Sequence, residues 1–190
     1  MPNPLDQTSE IRISEASVEE TLSILDLLCA QRMIAFESNA CDSPCEPRGH
    51  LLIINNRIEG VSISHRANAE EQSDGNRDFV LDPNGTLLLG TNLWTSRCVL
   101  LEVVAHFYEV SRILLAQQLG LESVASQVWL ERSEAESQQM SNEAFSEQAM
   151  AGAIKHPGFN LMSMLGMTPC GTLTSEAGVV CRFQKHMRTG

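Results

Sequence analysis

The segment Leu93–Val99, LWTSRCV, joins two apolar runs that have different periodicities, and it decides the fold. Thr86–Leu93 before it is a mostly apolar run typical of a buried strand, and Val99–Leu119 after it is apolar around most of a helix. A strand that leads into a helix presents free backbone N–H groups at the helix N-terminus, where a phosphate can sit. The sequence therefore predicts a phosphate-binding junction here.

Size and charge bound the possible functions. The chain has 190 residues, is 43% hydrophobic and contains no linker-like stretch, so we expect one domain spanning residues 1–190. Its formal charge of −11 disfavours nucleic acid and acidic membrane surfaces as partners. We find no secretory signal and no apolar run long enough to span a membrane, which predicts a cytoplasmic protein.

The order of the remaining elements follows from local patterns. Ser17-x-x-Glu20 resembles a capping box and predicts a helix after a first strand at Glu10–Ile13. Two β-rich runs around Asn55-Asn56-Arg57 predict a hairpin, and the acidic stretch Arg66–Asn84 is interpreted as a solvated excursion. The predicted order is strand, helix, two hairpin strands, strand, long helix, strand, short helix and two strands.

The order of these elements resembles that of the GNAT acyltransferases, and several short motifs are similar to those of acyl-homoserine-lactone synthases, the autoinducer synthases of quorum sensing. Those enzymes carry Arg-x-x-x-Phe on an early helix and Glu-x-Ser-Arg at the end of the fourth strand. The matching positions are Arg32, Phe36 and the segment Trp94–Arg97, in which Trp94 replaces the family's acid. Late in the chain, Gly158-Phe159, Leu165-Gly166 and Pro169 are similar to the family's Gly-Trp, Leu-Gly and proline.

The resemblance implies an α+β fold, an α/β/α sandwich with a mixed, mostly antiparallel sheet flanked by helices. It implies transfer of an acyl group from a thioester to the amine of S-adenosylmethionine, followed by lactone closure. The donor is acyl carrier protein or coenzyme A, and no permanently bound cofactor is implied. The regular glycine-rich GNAT motif is absent after Arg97, which favours a phosphopantetheine arm held by strand edges.

The resemblance also assigns roles to individual residues. Arg97 and Ser96 form the candidate catalytic junction, and Cys98 and Val99 contribute backbone N–H groups beside the thioester carbonyl. Val103 and Phe107, together with Leu114, would line an apolar tunnel for the acyl chain, and splayed fourth and fifth strands would grip the pantetheine. The expected substrate-binding residues are Arg32, Phe36, Asp42, Glu46, Arg66 and Trp94, with Asp42 and Glu46 facing the cationic acceptor.

Other interpretations remain open. Trp94 in place of an acid is compatible with a different N-acyltransferase that uses acyl-CoA, or with a non-catalytic ligand-binding protein. His106 is interpreted as a core histidine, and no metal site is predicted because Cys41-x-x-x-Cys45 lacks a second ligand pair. A docking patch for the acidic carrier protein would have to come from basic residues near the C-terminus: Lys155, Arg182, Lys185, His186 and Arg188.

Overall fold

The computed structural model describes residues 10–30, 45–73, 77–175 and 178–187. Its strands are β1 (Ile11–Ala16), β2 (Arg48–Ile54), β3 (Arg57–Glu71), β4 (Arg77–Leu81), β5 (Leu87–Thr95), β6 (Ser123–Glu131), β7 (Thr168–Ser175) and β8 (Gly178–His186). Its helices are α1 (Val18–Ala30), α2 (Leu101–Tyr108), α3 (Leu115–Gln118), α4 (Arg132–Ser137), α5 (Asn142–Met150) and α6 (Pro157–Met164).

All eight strands belong to one sheet. Across it they run β1-β2-β3-β5-β6-β8-β7, with β4 paired to the far half of β3. Every pairing is antiparallel except that of β5 with β6. Helices cover both faces, with Ile24 of α1 packed on one and the larger core beneath α2 and α6 on the other. The predicted α+β class and mixed, mostly antiparallel sheet are confirmed.

Local signals set the first half of the sheet. The Ser17 hydroxyl accepts from the Glu20 N–H at 3.2 Å, and the Glu20 carboxylate accepts from the Ser17 N–H at 2.9 Å. This is the predicted capping box. Asn55 and Asn56 take positive φ angles of 51° and 62°, as a two-residue hairpin turn requires, and they join β2 to β3.

The acidic stretch Arg66–Asn84 differs from its prediction. β3 continues to Glu71, and β4 pairs back along it from Ala67↔Leu81 to Glu71↔Arg77. Ala67 is fully buried, and Phe79 and Leu81 pack on the small core around it. The prediction of a solvated excursion is therefore wrong for most of this stretch, because its few apolar residues fall on one face of a strand pair.

The predicted strand-to-helix junction is present, since β5 ends at Thr95 and α2 begins at Leu101. The helix predicted to end near Leu119 contains a π-helical turn at Glu109–Leu114 between α2 and α3, and Gly120 follows with a φ of 66°. An inserted residue rotates the side chains that follow it, and such turns are frequent at functional sites. The buried face continues through this turn.

The chain after β6 holds more helix than predicted. The expected short helix at Ser141 is α5, and the Ser141 hydroxyl accepts from the Ala144 N–H at 3.2 Å. α4 precedes it and was not predicted. α6 runs from Pro157 to Met164, and the last two strands form a terminal hairpin.

Candidate functional site

The central feature is a gap between β5 and β6. The two strands pair only from Leu87↔Ser123 to Gly90↔Ser126, and no pairing follows, although both strands continue for five more residues. The gap holds a cavity of about 360 Å³. The cavity is lined by Gly90, Thr91, Asn92, Leu93, Arg112, Ser126, Gln127, Val128, Gly158, Leu161 and Met162. β5 and β6 are the fourth and fifth strands of the predicted order, which lacked β4, so the predicted separation of these two strands is present.

The closed end of the gap coincides with a β-bulge. β3 pairs Ile63 with Asn92 and Ser64 with Gly90, so Thr91 is left without a partner on β3. The Thr91 hydroxyl lies 3.3 Å from Nδ1 of His65, whose ring is almost fully buried. Burial lowers the pKa of His65, which keeps the imidazole neutral near pH 7. The bulge thus places a hydroxyl and a neutral imidazole beside the closed end.

Arg112 forms part of the cavity lining and is 1% exposed. Its Nε donates to the Ser62 hydroxyl at 3.1 Å, and Nη1 donates to the Ser126 hydroxyl at 3.0 Å. Nη2 donates to the carbonyls of Asn92 and Ile63. The guanidinium lies over the Tyr108 ring, 4.7 Å from its centroid, and burial lowers the pKa of Arg112. One side chain thereby joins β3, β5 and β6 where the sheet opens.

Close approach of Arg112 explains the glycine at position 90. A Cβ placed there would lie 2.0 Å from Nη1 of Arg112 and 2.2 Å from Cζ, well inside contact distance. Only glycine leaves room for the guanidinium against β5.

The open end of the gap is the junction between β5 and α2. The Ser96 N–H donates to the carbonyl of Glu59 at 2.8 Å, and the Ser96 hydroxyl hydrogen-bonds the Glu59 carboxylate. Arg97 is exposed, and Leu100 begins α2 without a side-chain cap, so no side chain caps the first N–H groups of the helix. The Arg97 guanidinium and the uncapped N–H groups of α2 therefore lie at this end of the gap, together with the Glu59 carboxylate.

Other predicted residues line two further cavities. Cys98, Val99 and Val103 line one of about 650 Å³ that also includes Glu59 and Arg57. Cys98 Sγ lies 3.0 Å from the Ser96 hydroxyl. The predicted pair Glu46 and Arg66 meets in a separate cavity of about 330 Å³. The structure thus divides the predicted residues among the open end of the gap and two neighbouring cavities.

The remaining predicted residues have varied positions. Trp94 is partly buried against Val61 and Ile63, on the sheet face that carries α1. Phe107 is fully buried, whereas Leu114 is 41% exposed. Arg32, Phe36 and Asp42 lie outside the described residues.

Two sequence interpretations are corrected by the structure. The side chain of His106 is 64% exposed and lies 3.9 Å from the Glu109 carboxylate, so it is not a core histidine. Arg182 is 5% exposed and donates to the Asp78 carboxylate at 2.9 Å, so it does not belong to an exposed basic patch. The Lys185 ammonium is also engaged, since it donates to the Leu165 carbonyl at 2.6 Å.

Sequence reasoning missed the residues at the closed end. In the sequence, Arg112 is only one polar residue within the apolar run Val99–Leu119, and Thr91 and His65 carry no local motif. A bulge is set by the pairing of two distant segments, so the sequence of one strand does not reveal it. The glycine of an otherwise apolar strand, Gly90, was the one available signal, because such a glycine often marks a close approach of another group.

Comparison with solved structures identifies this architecture. A GNAT-family acetyltransferase from Streptococcus pneumoniae matches 94% of this chain and 100% of its own, with a TM-score of 0.54 and 14% identity. The chain has the GNAT fold. FeeM, an N-acyl amino acid synthase from uncultured soil microbes, has the same GNAT architecture over 94% of this chain and 92% of its own (TM-score 0.55, 8% identity). GphF, a GNAT-like decarboxylase solved with isobutyryl-CoA, matches 93% of this chain and 100% of its own, with a TM-score of 0.55 and 15% identity.

Sequence comparisons add no closer relationship. No protein-family model and no curated protein matches the chain. In the described ranges, no helix combines the length and apolar character that crossing a membrane requires.

Proposed function

We propose that this protein is an N-acyltransferase that moves an acyl group from a pantetheine thioester to a primary amine. The observation that carries the proposal is the gap between β5 and β6, which opens directly after the pair Gly90↔Ser126. Separated strands leave backbone N–H and C=O groups facing one another without partners. A pantetheine arm, which carries two amides, is able to pair with both edges.

The dimensions of the gap fit this arrangement. Gly90 and Thr95 are five residues apart on an extended strand, which corresponds to about 17 Å at roughly 3.3 Å per residue. A phosphate held at the open end by Arg97 and the start of α2 therefore leaves room for an arm that reaches the bulge. The thioester would lie beside Thr91, where a backbone N–H of the bulge is the candidate donor to its carbonyl oxygen.

The reaction itself needs only positioning and one proton transfer. The amine nitrogen attacks the thioester carbon, the C–N bond forms, the C–S bond breaks, and the released thiolate takes the proton that the amine loses. The neutral imidazole of His65, with Nδ1 3.3 Å from the Thr91 hydroxyl, is placed to relay that proton from the amine to the thiolate through the hydroxyl.

S-adenosylmethionine is the acceptor that we propose to test first, with acyl-homoserine lactone as the product and either coenzyme A or acyl carrier protein as the donor's carrier. The support is the sequence resemblance, which assigns Glu46 to the binding of the acceptor. Glu46 shares its cavity with Arg66, so the carboxylate there has a cationic neighbour. An amine without a sulfonium is the alternative acceptor.

The test is transfer assayed with purified protein. Acyl-CoA and acyl carrier protein donors are mixed with S-adenosylmethionine and with a panel of amino acids and amines, and released thiol and acylated product are measured. Arg97→Ala should raise KM for the donor about tenfold, the loss of one charge-assisted phosphate contact, and leave the melting temperature unchanged. Arg132→Ala, a surface arginine paired with Glu136 at 2.7 Å, is the matched control.

A second pair of variants tests the gap. Gln127 is exposed and lines the cavity, so Gln127→Trp should fill the gap without disturbing the core, whereas Gln127→Ala leaves it open. We expect the tryptophan variant alone to lose donor binding. Equal donor binding by the two variants, or no transfer with every donor and amine tried, would refute the proposal.

A further inference from the structure

We propose that the closed end of the gap recognises an anionic acyl group, so that the preferred donors are thioesters of short dicarboxylic acids, with the distal carboxylate paired to Arg112. This inference rests on the proposed function, since it concerns the acyl end of the same donor. It starts from a cation that has no counter-ion.

Arg112 forms no ion pair with a carboxylate anywhere in the part of the chain that the structure describes. Its hydrogen bonds go to two serine hydroxyls and two backbone carbonyls, all of them neutral. Two ionisable side chains interact with it: Tyr108, whose ring faces the guanidinium, and His50, which is buried and has a pKa lowered by burial. Among the described residues, the guanidinium is therefore a buried positive charge without an anionic neighbour.

A purely structural role does not account for the charge. Joining β3, β5 and β6 uses the donors of Arg112, but these neutral acceptors do not fully offset the large desolvation cost of a cation without a counter-ion. Buried charges in proteins are normally paired or bind a ligand. Here the guanidinium also lines a cavity, which gives an anion a place to pair with it.

The geometry assigns that anion to the acyl end of the donor. The phosphate of a pantetheine arm lies at the open end, beside Arg97, and the arm extends toward Gly90 and Ser126. Arg112 hydrogen-bonds Ser126 and packs over Gly90, so it meets whatever lies beyond the thioester.

The lining near Arg112 supports a short polar acyl group over a long chain. The closed end carries the hydroxyls of Thr91 and Ser126, and the cavity is about 360 Å³ in all. The apolar members, Leu93, Val128 and Leu161, lie along the arm's path. A long alkyl chain directed at the closed end would offer the buried guanidinium no counter-ion.

The experiment compares ligands that differ only in charge. The probes are malonyl- and succinyl-phosphopantetheine and their neutral shape matches, malonamoyl- and succinamoyl-phosphopantetheine, each with CH₂ in place of the thioester sulfur so that no transfer occurs. Binding is measured by calorimetry on the full chain. We expect the better of the two acids to bind at least about tenfold tighter than its amide, the value of one hydrogen bond between charged groups.

Variants then locate the preference. Arg112→Met should abolish the preference for the acid, and Arg112→Lys should keep part of it, because charge survives without the fork geometry. If Arg112→Met fails to fold, the acid-to-amide ratio of the wild-type protein decides alone. Equal binding of acids and amides, or tighter binding of the amides, overturns the inference and leaves the proposed function standing. Binding of none of the four overturns both.

Discussion

Replacing Gly90 with alanine should destabilise the protein through Arg112 alone. The added Cβ would lie 2.0 Å from Nη1 and 2.2 Å from Cζ, so the guanidinium must move away from β5. Its hydrogen bonds to Ser126 and to the Asn92 carbonyl are the ones that depend on that position. Hydrogen bonds that involve a charged group contribute about 1.5–3 kcal/mol each, so the loss of two predicts roughly 3–6 kcal/mol.

Urea unfolding and thermal melting measure this cost. For a chain of this length, 1 kcal/mol corresponds to about 2–4 °C, so we expect a fall of about 6–24 °C in Tm. Gly60→Ala is the matched control on β3, because its nearest neighbours would lie 3.1–3.2 Å from the new Cβ and are all side-chain atoms. It should cost less.

A double-mutant cycle tests the cause. In an Arg112→Ala background the obstacle is gone, and Gly90→Ala should then be nearly neutral, since alanine suits a strand better than glycine does. An equal cost of Gly90→Ala with and without Arg112 would contradict the reasoning, because the penalty would then come from the strand itself.

Three further predictions concern the rest of the fold. Ser17→Ala removes one half of the capping box and should lower the free energy of unfolding by about 0.5–2 kcal/mol in urea titrations, whereas an unchanged midpoint would deny the cap a role. Arg182→Met breaks the hydrogen bond with Asp78 that links β4 to β8, so amide exchange should accelerate in residues 77–81 and not in β2. Exchange rates in residues 77–81 equal to those of the wild-type protein would contradict this prediction. Burial lowers the pKa of His50, His65 and His156 in the folded protein. As the pH falls, the unfolded chain therefore binds protons at these histidines before the folded protein does. Their contribution to the free energy of unfolding should be fully present above about pH 6.5 and should decrease below it. Urea midpoints at pH 7.5 and 5.5 measure the effect, His65→Gln should make the fall shallower, and a midpoint that rises toward pH 5.5 would show the opposite linkage.

The candidate site was predictable in part. The sequence predicts the strand-to-helix junction that carries Ser96 and Arg97, because the change from strand to helix periodicity lies within one continuous segment. The prediction of a solvated excursion at Arg66–Asn84 is wrong because the structure of this stretch depends on pairing between two strands. Its acidic composition is typical of a solvated loop, and only the pairing of β4 with β3 shows that Phe79 and Leu81 share a buried face.

The sequence by itself determined the elements whose physics is local: the capping box at Ser17, the turn at Asn55 and Asn56, and the helix end at Gly120. Each depends on backbone angles and hydrogen bonds within a few residues. Tertiary structure alone decided that Arg112 is buried and that β5 and β6 separate beyond Gly90. An arginine on an apolar helix has the same local sequence pattern whether its guanidinium reaches water or packs against a sheet. Its burial depends on the pairing of strands that lie more than 30 residues apart in the chain.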